Sequence, residues 1–235
     1  AIFEGFRPGV TERLGFGPDD CLARNPKIVY GRMTGWGQTG PLAKVAGHDI
    51  NYISLTGALA AIGTADKPVP PLNLVGDYAG GSLFLVMGML AALLEAQTSG
   101  KGQVIDAAIT DGSASLMSMF FTMQKMGAWN TERESNLLDG GTPFYGTYST
   151  LDEKVDSLGP IEPQFFATLV DKAGMAPEML DAHMNPARWA ELKNTLTELF
   201  QSKTRDEWCE ILEGSDACFA PALDFTEAHK HPHNQ

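Results

Sequence analysis

Apolar and polar positions change their period several times along the chain, and each change marks an element. Lys27-Ile28-Val29-Tyr30-Gly31-Arg32-Met33 reads as a strand, followed by a loop carrying Gly35, Gly37 and Gly40-Pro41. Residues 49–59 read as a helix entered through Gly47-His48. The proline-rich stretch Asp66-Lys67-Pro68-Val69-Pro70-Pro71 predicts a surface loop leading into Leu72-Asn73-Leu74-Val75, and Asp77 falls where that loop meets a long apolar helix ending near Thr98. The apolar run inside that helix, residues 83–94, contains Gly88 and is too short to cross a bilayer, so it predicts a buried helix and no transmembrane segment.

After a turn at Ser99-Gly100-Lys101-Gly102, residues 103–109 predict a strand and residues 111–126 a helix. Residues 127–143 are polar and glycine-containing and read as a linker between two domains. Beyond it, Tyr145-Gly146-Thr147-Tyr148 predicts a strand, and residues 163–174, 186–202 and 206–212 predict helices. Strands alternating with helices place the chain in the α/β class.

Composition narrows the choice of partners. The 235 residues are 43% hydrophobic and 20% charged, ordinary globular material, and 17 basic against 29 acidic residues give a formal charge of -12. That charge disfavours nucleic acid and anionic membrane surfaces, so an anionic ligand needs a local basic patch. Cys21, Cys209 and Cys218 form no CxxC pair, which predicts neither a disulfide framework nor a zinc site and fits a reducing compartment. His229, His231 and His233 have alternate spacing but no acidic or cysteine partner, so no metal is expected there. The run Glu132-Arg133-Glu134 reads as a solvated face. The opening Ala1-Ile2-Phe3, without an initiator methionine, and the polar close His233-Asn234-Gln235 are those expected of a fragment.

Two segments carry candidate chemistry. Gly47-His48-Asp49-Ile50-Asn51-Tyr52 and Gly76-Asp77-Tyr78-Ala79-Gly80-Gly81 place a histidine and a carboxylate on glycine-flanked turns, which suits a pair of acid/base groups facing one substrate atom. A histidine changes protonation near neutral pH, and a carboxylate donates a proton when a dry or anionic setting raises its pKa. At a helix start, the dipole opposes that rise for Asp77. The backbone N–H groups of Asp49 and Ile50, at the start of a helix, are candidate donors to a developing oxyanion. No Walker-type or GxGxxG loop occurs, so nucleotide hydrolysis and hydride transfer have no support.

The segments Phe6-Arg7-Pro8-Gly9-Val10, Tyr30 to Gln38, Gly47 to Tyr52, Pro71 to Asp77, Gly100 to Asp106 and Ile161-Glu162-Pro163-Gln164-Phe165 together resemble the α-methylacyl-CoA racemases of the family III CoA-transferase superfamily. That resemblance implies an α/β fold comprising part of a Rossmann-like large domain over 1–107, a helical linker over 108–145, a smaller α+β domain over 146–228, and the start of a return linker over 229–235. It implies an isomerase that interconverts R and S 2-methylacyl-CoA thioesters through an enolate and works as an interlocked homodimer. His48 and Asp77 then carry the proton on opposite faces, and Glu162 is the carboxylate that hydrogen-bonds the histidine ring. Gly5, Phe6, Arg7 and Arg13 contact the phosphate-bearing end of CoA, and Gly47, Asp49, Ile50, Asn51 and Tyr52 line the pantetheine and thioester end. CoA belongs to the substrate, so no separate cofactor is implied. The implied compartment is cytoplasmic, or peroxisomal or mitochondrial in a eukaryote.

Other readings stay open on the residues. In a CoA transferase of the same superfamily, Asp77 is a nucleophile that forms an acyl anhydride; in a degenerate acyl-CoA binder, none of the three groups acts. Met117, Met119, Met123 and Met126, with Met33, Met87 and Met89 elsewhere, offer thioethers for an adaptable acyl surface or for ordinary packing. Three departures from the family pattern fall in the small domain. Asp152-Glu153 stands where a glycine suits a tight turn, Val155-Asp156-Ser157 replaces a more apolar strand, and Pro160 precedes Glu162.

Overall fold

The computed structural model describes residues 1–235, which divide into two compact units, Ala1–Thr131 and Glu132–Gln235. In the first unit, β1 (Ile2–Glu4), β2 (Tyr30–Thr34) and β3 (Val104–Ala108) form a parallel sheet in that order, with Ile2 opposite Tyr30 and Tyr30 opposite Val104. Parallel neighbours require crossover connections, and here they are helical. Helices α1 (Val10–Arg13) and α2 (Pro18–Arg24) join β1 to β2. Helices α3 (Asp49–Ser54) and α4 (Ala58–Ala61), a π-helix (Leu74–Leu83) and α5 (Phe84–Ser99) join β2 to β3, after which α6 (Ile109–Leu116) and α7 (Ser118–Lys125) follow.

The single helix expected over 49–59 is two, because Gly57 adopts a left-handed φ of 80° between α3 and α4. The helix expected over 111–126 is likewise divided at Met117. A larger correction concerns the apolar run. The π-helix continues into α5, so the helix spans 26 residues, Leu74–Ser99, and by length and composition alone it is long and apolar enough to cross a membrane. Neither is it buried: Leu83, Val86, Met87, Leu90 and Leu94 are between 52% and 66% exposed. An all-round apolar pattern signals burial without naming a side, and in this chain only the side bearing Leu85, Ala92 and Ala96 is covered. Glycines hid the length of this helix. A Cβ on Gly112 of α6 would lie 1.8 Å from the Gly80 carbonyl oxygen, so α6 and the π-helix pack backbone against backbone.

In the second unit, β4 (Gly146–Ser149), β5 (Val155–Leu158) and β6 (Phe219–Pro221) form an antiparallel sheet. Helices α8 (Pro163–Lys172), α9 (Trp189–Phe200) and α10 (Arg205–Leu212) cover a core in which Phe144, Phe166, Leu192, Leu196, Phe200 and Trp208 are fully buried. The Thr204 hydroxyl accepts from the Glu207 N–H at 3.3 Å, and the Glu207 carboxylate accepts from the Thr204 N–H at 2.8 Å, closing a capping box at the start of α10. The buried His183 donates from Nε2 to the Pro160 carbonyl at 3.0 Å and stacks on Phe166 with centroids 4.2 Å apart. It thereby fixes the turn that leads to Glu162. Burial holds the His183 pKa below its usual value, so the ring is neutral at physiological pH.

The departures from the family pattern have visible consequences. Glu153 occupies the β4–β5 turn at a φ of 62°, a conformation that costs an L-residue with a Cβ about 1–2 kcal/mol. Glu153→Gly is expected to raise stability by about 1 kcal/mol, since glycine adopts this φ freely but loses more entropy on folding. Chemical denaturation checks it, and an unchanged or lower midpoint would count against strain at this turn.

Asp156 on β5 is fully buried, opposite Pro221, with neither carboxylate oxygen hydrogen-bonded. Burial pushes its pKa up to about 7, against the opposing pull of Arg205 and with added repulsion from Asp152 and Asp206. The folded state therefore holds a proton that the unfolded chain releases between about pH 4 and 7. Stability falls as pH rises through that window. Asp156→Asn is expected to gain little at pH 4 and on the order of 3–4 kcal/mol above pH 7, by the conversion of one pKa unit to about 1.4 kcal/mol. Unfolding midpoints of the two proteins across pH 4–8 test this, and a gain independent of pH would contradict it.

Candidate functional site

The carboxyl ends of parallel strands are where open α/β sheets leave a crevice. Here β1 runs out into Gly5-Phe6-Arg7, and β2 runs out into Gly35-Trp36. An ionic cluster sets the first of these exits. Arg32 on β2, only 7% exposed, donates from Nε to Glu4 Oε1 at 2.9 Å and from Nη1 to Glu12 Oε1 at 2.7 Å. The other oxygen of Glu4 accepts from the Phe6 N–H at 2.6 Å, so the cluster fixes the backbone that carries Arg7.

His48 is the N-cap of α3, and its N–H donates to Asn51 Oδ1 at 3.1 Å. The Tyr52 hydroxyl donates to the Gly47 carbonyl, and its ring meets Trp36 edge-on with centroids 4.8 Å apart. Asp77 lies in the first turn of the π-helix, a rare element frequently found at functional sites. Its N–H donates to Asp49 Oδ1 at 2.7 Å, its Oδ2 accepts from Asn73 Nδ2 at 2.6 Å, and its carbonyl accepts from Ser82 Oγ at 2.9 Å. Burial raises the Tyr52 pKa, the nearby charge of Asp77 adds to the rise, and Arg7 opposes it. Tyr52 thus lies within electrostatic reach of both the candidate phosphate-binding arginine and the candidate acid.

Two cavities adjoin in this unit. One of about 800 Å³ is lined by Gly5, His48, Tyr52 and Asp77, with Leu85, Met89, Leu93 and Met33 as an apolar wall. The other, of about 370 Å³, is lined by Gly5, Phe6, Arg7, Trp36, Gly47, His48 and Tyr52. Of the candidates, the structure thereby brings together Gly5, Phe6, Arg7, Gly47, His48, Tyr52 and Asp77. Arg13 lies outside both linings and donates to the Gly9 carbonyl at 3.0 Å. Ile50 and Asn51 also lie outside them, and Asp49 is 5% exposed with its carboxylate engaged by Asp77. Glu162, in the second unit, is the exposed N-cap of α8.

Sequence reasoning overlooked Trp36, Asn73 and the role of the Asp49 side chain. Asn73 stands four residues before Asp77, the spacing at which helical side chains meet, but the segment read as a loop. The methionine stripe of α7 lines neither cavity; Met33 and Met89 do. Met117 instead packs with Ile53 and Ala58.

A parallel α/β unit carrying a histidine and a carboxylate on one cavity is thus followed by an antiparallel α+β unit. The chain belongs to CoA-transferase family III, whose sequence profile matches residues 1–235. It is 47% identical over 235 residues to the α-methylacyl-CoA racemase of Mus musculus and 43% identical to that of Homo sapiens, covering 100% of this chain and 62% of each relative. Among solved structures, the Mycobacterium tuberculosis protein Rv3272 aligns with a TM-score of 0.77 at 26% identity, over 99% of this chain and 63% of that one. The α/β fold with a parallel sheet, expected from the resemblance, is therefore that of the family, and the chain spans about three-fifths of the length of these relatives.

Proposed function

We propose that the chain is the catalytic portion of a racemase that interconverts R and S 2-methylacyl-CoA thioesters by 1,1-proton transfer through an enolate. The observation that supports this best is that His48 and Asp77 line one cavity, each with its backbone N–H held by a side chain: Asn51 for His48, Asp49 for Asp77. A thioester α-proton is weakly acidic, so the base must sit within hydrogen-bond reach and the enolate oxygen must meet preorganised donors. In this reading one of the two groups removes the α-proton and the other returns a proton to the opposite face. The Asp49 and Ile50 amides, in the first turn of α3 directly after His48, have no intrahelical acceptor and are the candidate donors to the enolate oxygen in this reading. Arg7 gives the CoA phosphates a planar donor fork, and the wall of Leu85, Met89 and Met33 takes the acyl chain. Glu162 is given a supporting carboxylate role in the same chemistry.

The reading includes a homodimer, supported by the exposed apolar side of Leu74–Ser99. Three unpaired cysteines support a reducing compartment. An acceptor assay separates this reading from a transferase in which Asp77 is the nucleophile. With a 2-methylacyl-CoA and a second carboxylic acid both present, the racemase inverts the thioester and leaves CoA where it was. Transfer of CoA to the added acid overturns the racemase reading.

A further inference from the structure

Asp49 follows the candidate base directly in sequence, yet its side chain turns away from both cavities and is buried. Its Oδ1 accepts the N–H of Asp77 at 2.7 Å across 28 residues of sequence. The π-helix is built around that contact: a Cβ on Gly76 would lie 2.1 Å from Asp49 Oδ1 and 2.8 Å from its Cγ, so only glycine lets the carboxylate reach the next residue's N–H.

We infer that Asp49 is a positioning residue for Asp77, fixing the π-helical turn that aims the acid so that the two proton carriers share one frame. The inference rests on the racemase reading. Asp49 begins α3, whose N-cap is His48, and its carboxylate holds the first turn of the π-helix, so one side chain ties the element carrying the first group to the element carrying the second. Asn73 orients the Asp77 carboxylate through Oδ2, but the backbone from which that carboxylate projects is held by Asp49. A misplacement of about 1 Å at a reacting group costs on the order of 10²-fold in rate.

A two-base racemase gives this a readout that a general structural role would not move. In deuterated water each base exchanges the α-proton of one enantiomer without inversion, so exchange can be followed separately from each enantiomer of a 2-methylacyl-CoA. Asp77→Asn in the full-length protein identifies the enantiomer that depends on Asp77. Asp49→Ala is expected to slow exchange from that enantiomer by on the order of 10²-fold, through kcat more than KM, while leaving the other within a few-fold. Asp49→Asn, which keeps an Oδ1 acceptor, is expected to restore most of the loss. Gly76→Ala, which displaces the carboxylate from the other side, is expected to give the same one-sided loss and to add little in the Asp49→Ala background. Should Asp49→Ala fail to fold, Gly76→Ala and Asp49→Asn carry the test.

Equal slowing from both enantiomers, no slowing from either, or fully additive effects of Asp49→Ala and Gly76→Ala would overturn the positioning role. Absence of exchange from either enantiomer in the unsubstituted protein is the distinct failure of the racemase reading, and it would take this inference with it.

Discussion

Replacing His48 with alanine in the full-length protein is expected to lower racemisation by about 10²–10⁴-fold, the range over which a positioned acid/base group acts. Affinity for the CoA thioester is expected to stay within a few-fold. The division follows from where the residue sits. His48 lines the larger cavity together with Asp77, whereas the loop bearing Arg7, whose cavity His48 also borders, is held by an ionic cluster that His48 does not touch. The Asn51 side chain holds the His48 N–H rather than its ring, so a substitution of the ring leaves the start of α3 intact. Steady-state kinetics and thioester binding, measured on the same preparation, check both halves. Equal loss of rate and affinity would mean that His48 serves binding rather than proton transfer.

Arg32→Ala is expected to destabilise the first unit by about 3–5 kcal/mol, because it leaves a buried carboxylate without its countercharge. Glu4 is 6% exposed, and without Arg32 it retains only the Phe6 N–H as a partner. The guanidinium bridges Glu4 on β1 and Glu12 on α1 at once, a two-sided contact that a lysine ammonium cannot reproduce, so Arg32→Lys is expected to recover only part of the loss. Because the cluster also fixes the Phe6 N–H beside Arg7, affinity for CoA is expected to fall along with stability. Denaturant unfolding followed by CoA titration of the folded protein measures both. A change in stability below about 0.5 kcal/mol, the size typical of an exposed surface pair, would contradict the buried-cluster argument.

What the sequence disclosed depended on whether the information was local. The strands at Tyr30–Thr34, Val104–Ala108 and Gly146–Ser149 and the helices at Pro163–Lys172 and Arg205–Leu212 carry their own period, composition or cap, and each lies where the pattern placed it. The π-helix did not show itself, since Gly76, Gly80 and Gly81 read as turn residues. Their purpose is the close approach of Asp49 and of α6, which lies elsewhere in the sequence. The direction of burial of α5 was equally hidden, because a helix apolar on every side carries no facing signal.

At the candidate site, Gly47-His48 and Asp77 stood out through their glycine-flanked, polar-in-apolar setting. The Asp49 carboxylate did not, because its partner is 28 residues away and a buried aspartate after a histidine looks like any helix-start acid. Arg13 matched the family segment but folds back onto the Gly9 carbonyl, a local bond that no spacing rule reveals. Glu153 is a different case. Its mismatch with a glycine-favouring turn was visible in the residues, and the φ of 62° gives that mismatch its physical form.

The most direct measurement incubates each enantiomer of a 2-methylacyl-CoA with the full-length protein in deuterated water and follows α-deuterium incorporation and optical inversion together. Two-base proton transfer by His48 and Asp77 predicts incorporation and inversion from both enantiomers, with inversion lost on substitution of either group and exchange kept only from the enantiomer served by the group that remains. Inversion without solvent deuterium, or no exchange while CoA passes to an added acid, would contradict it.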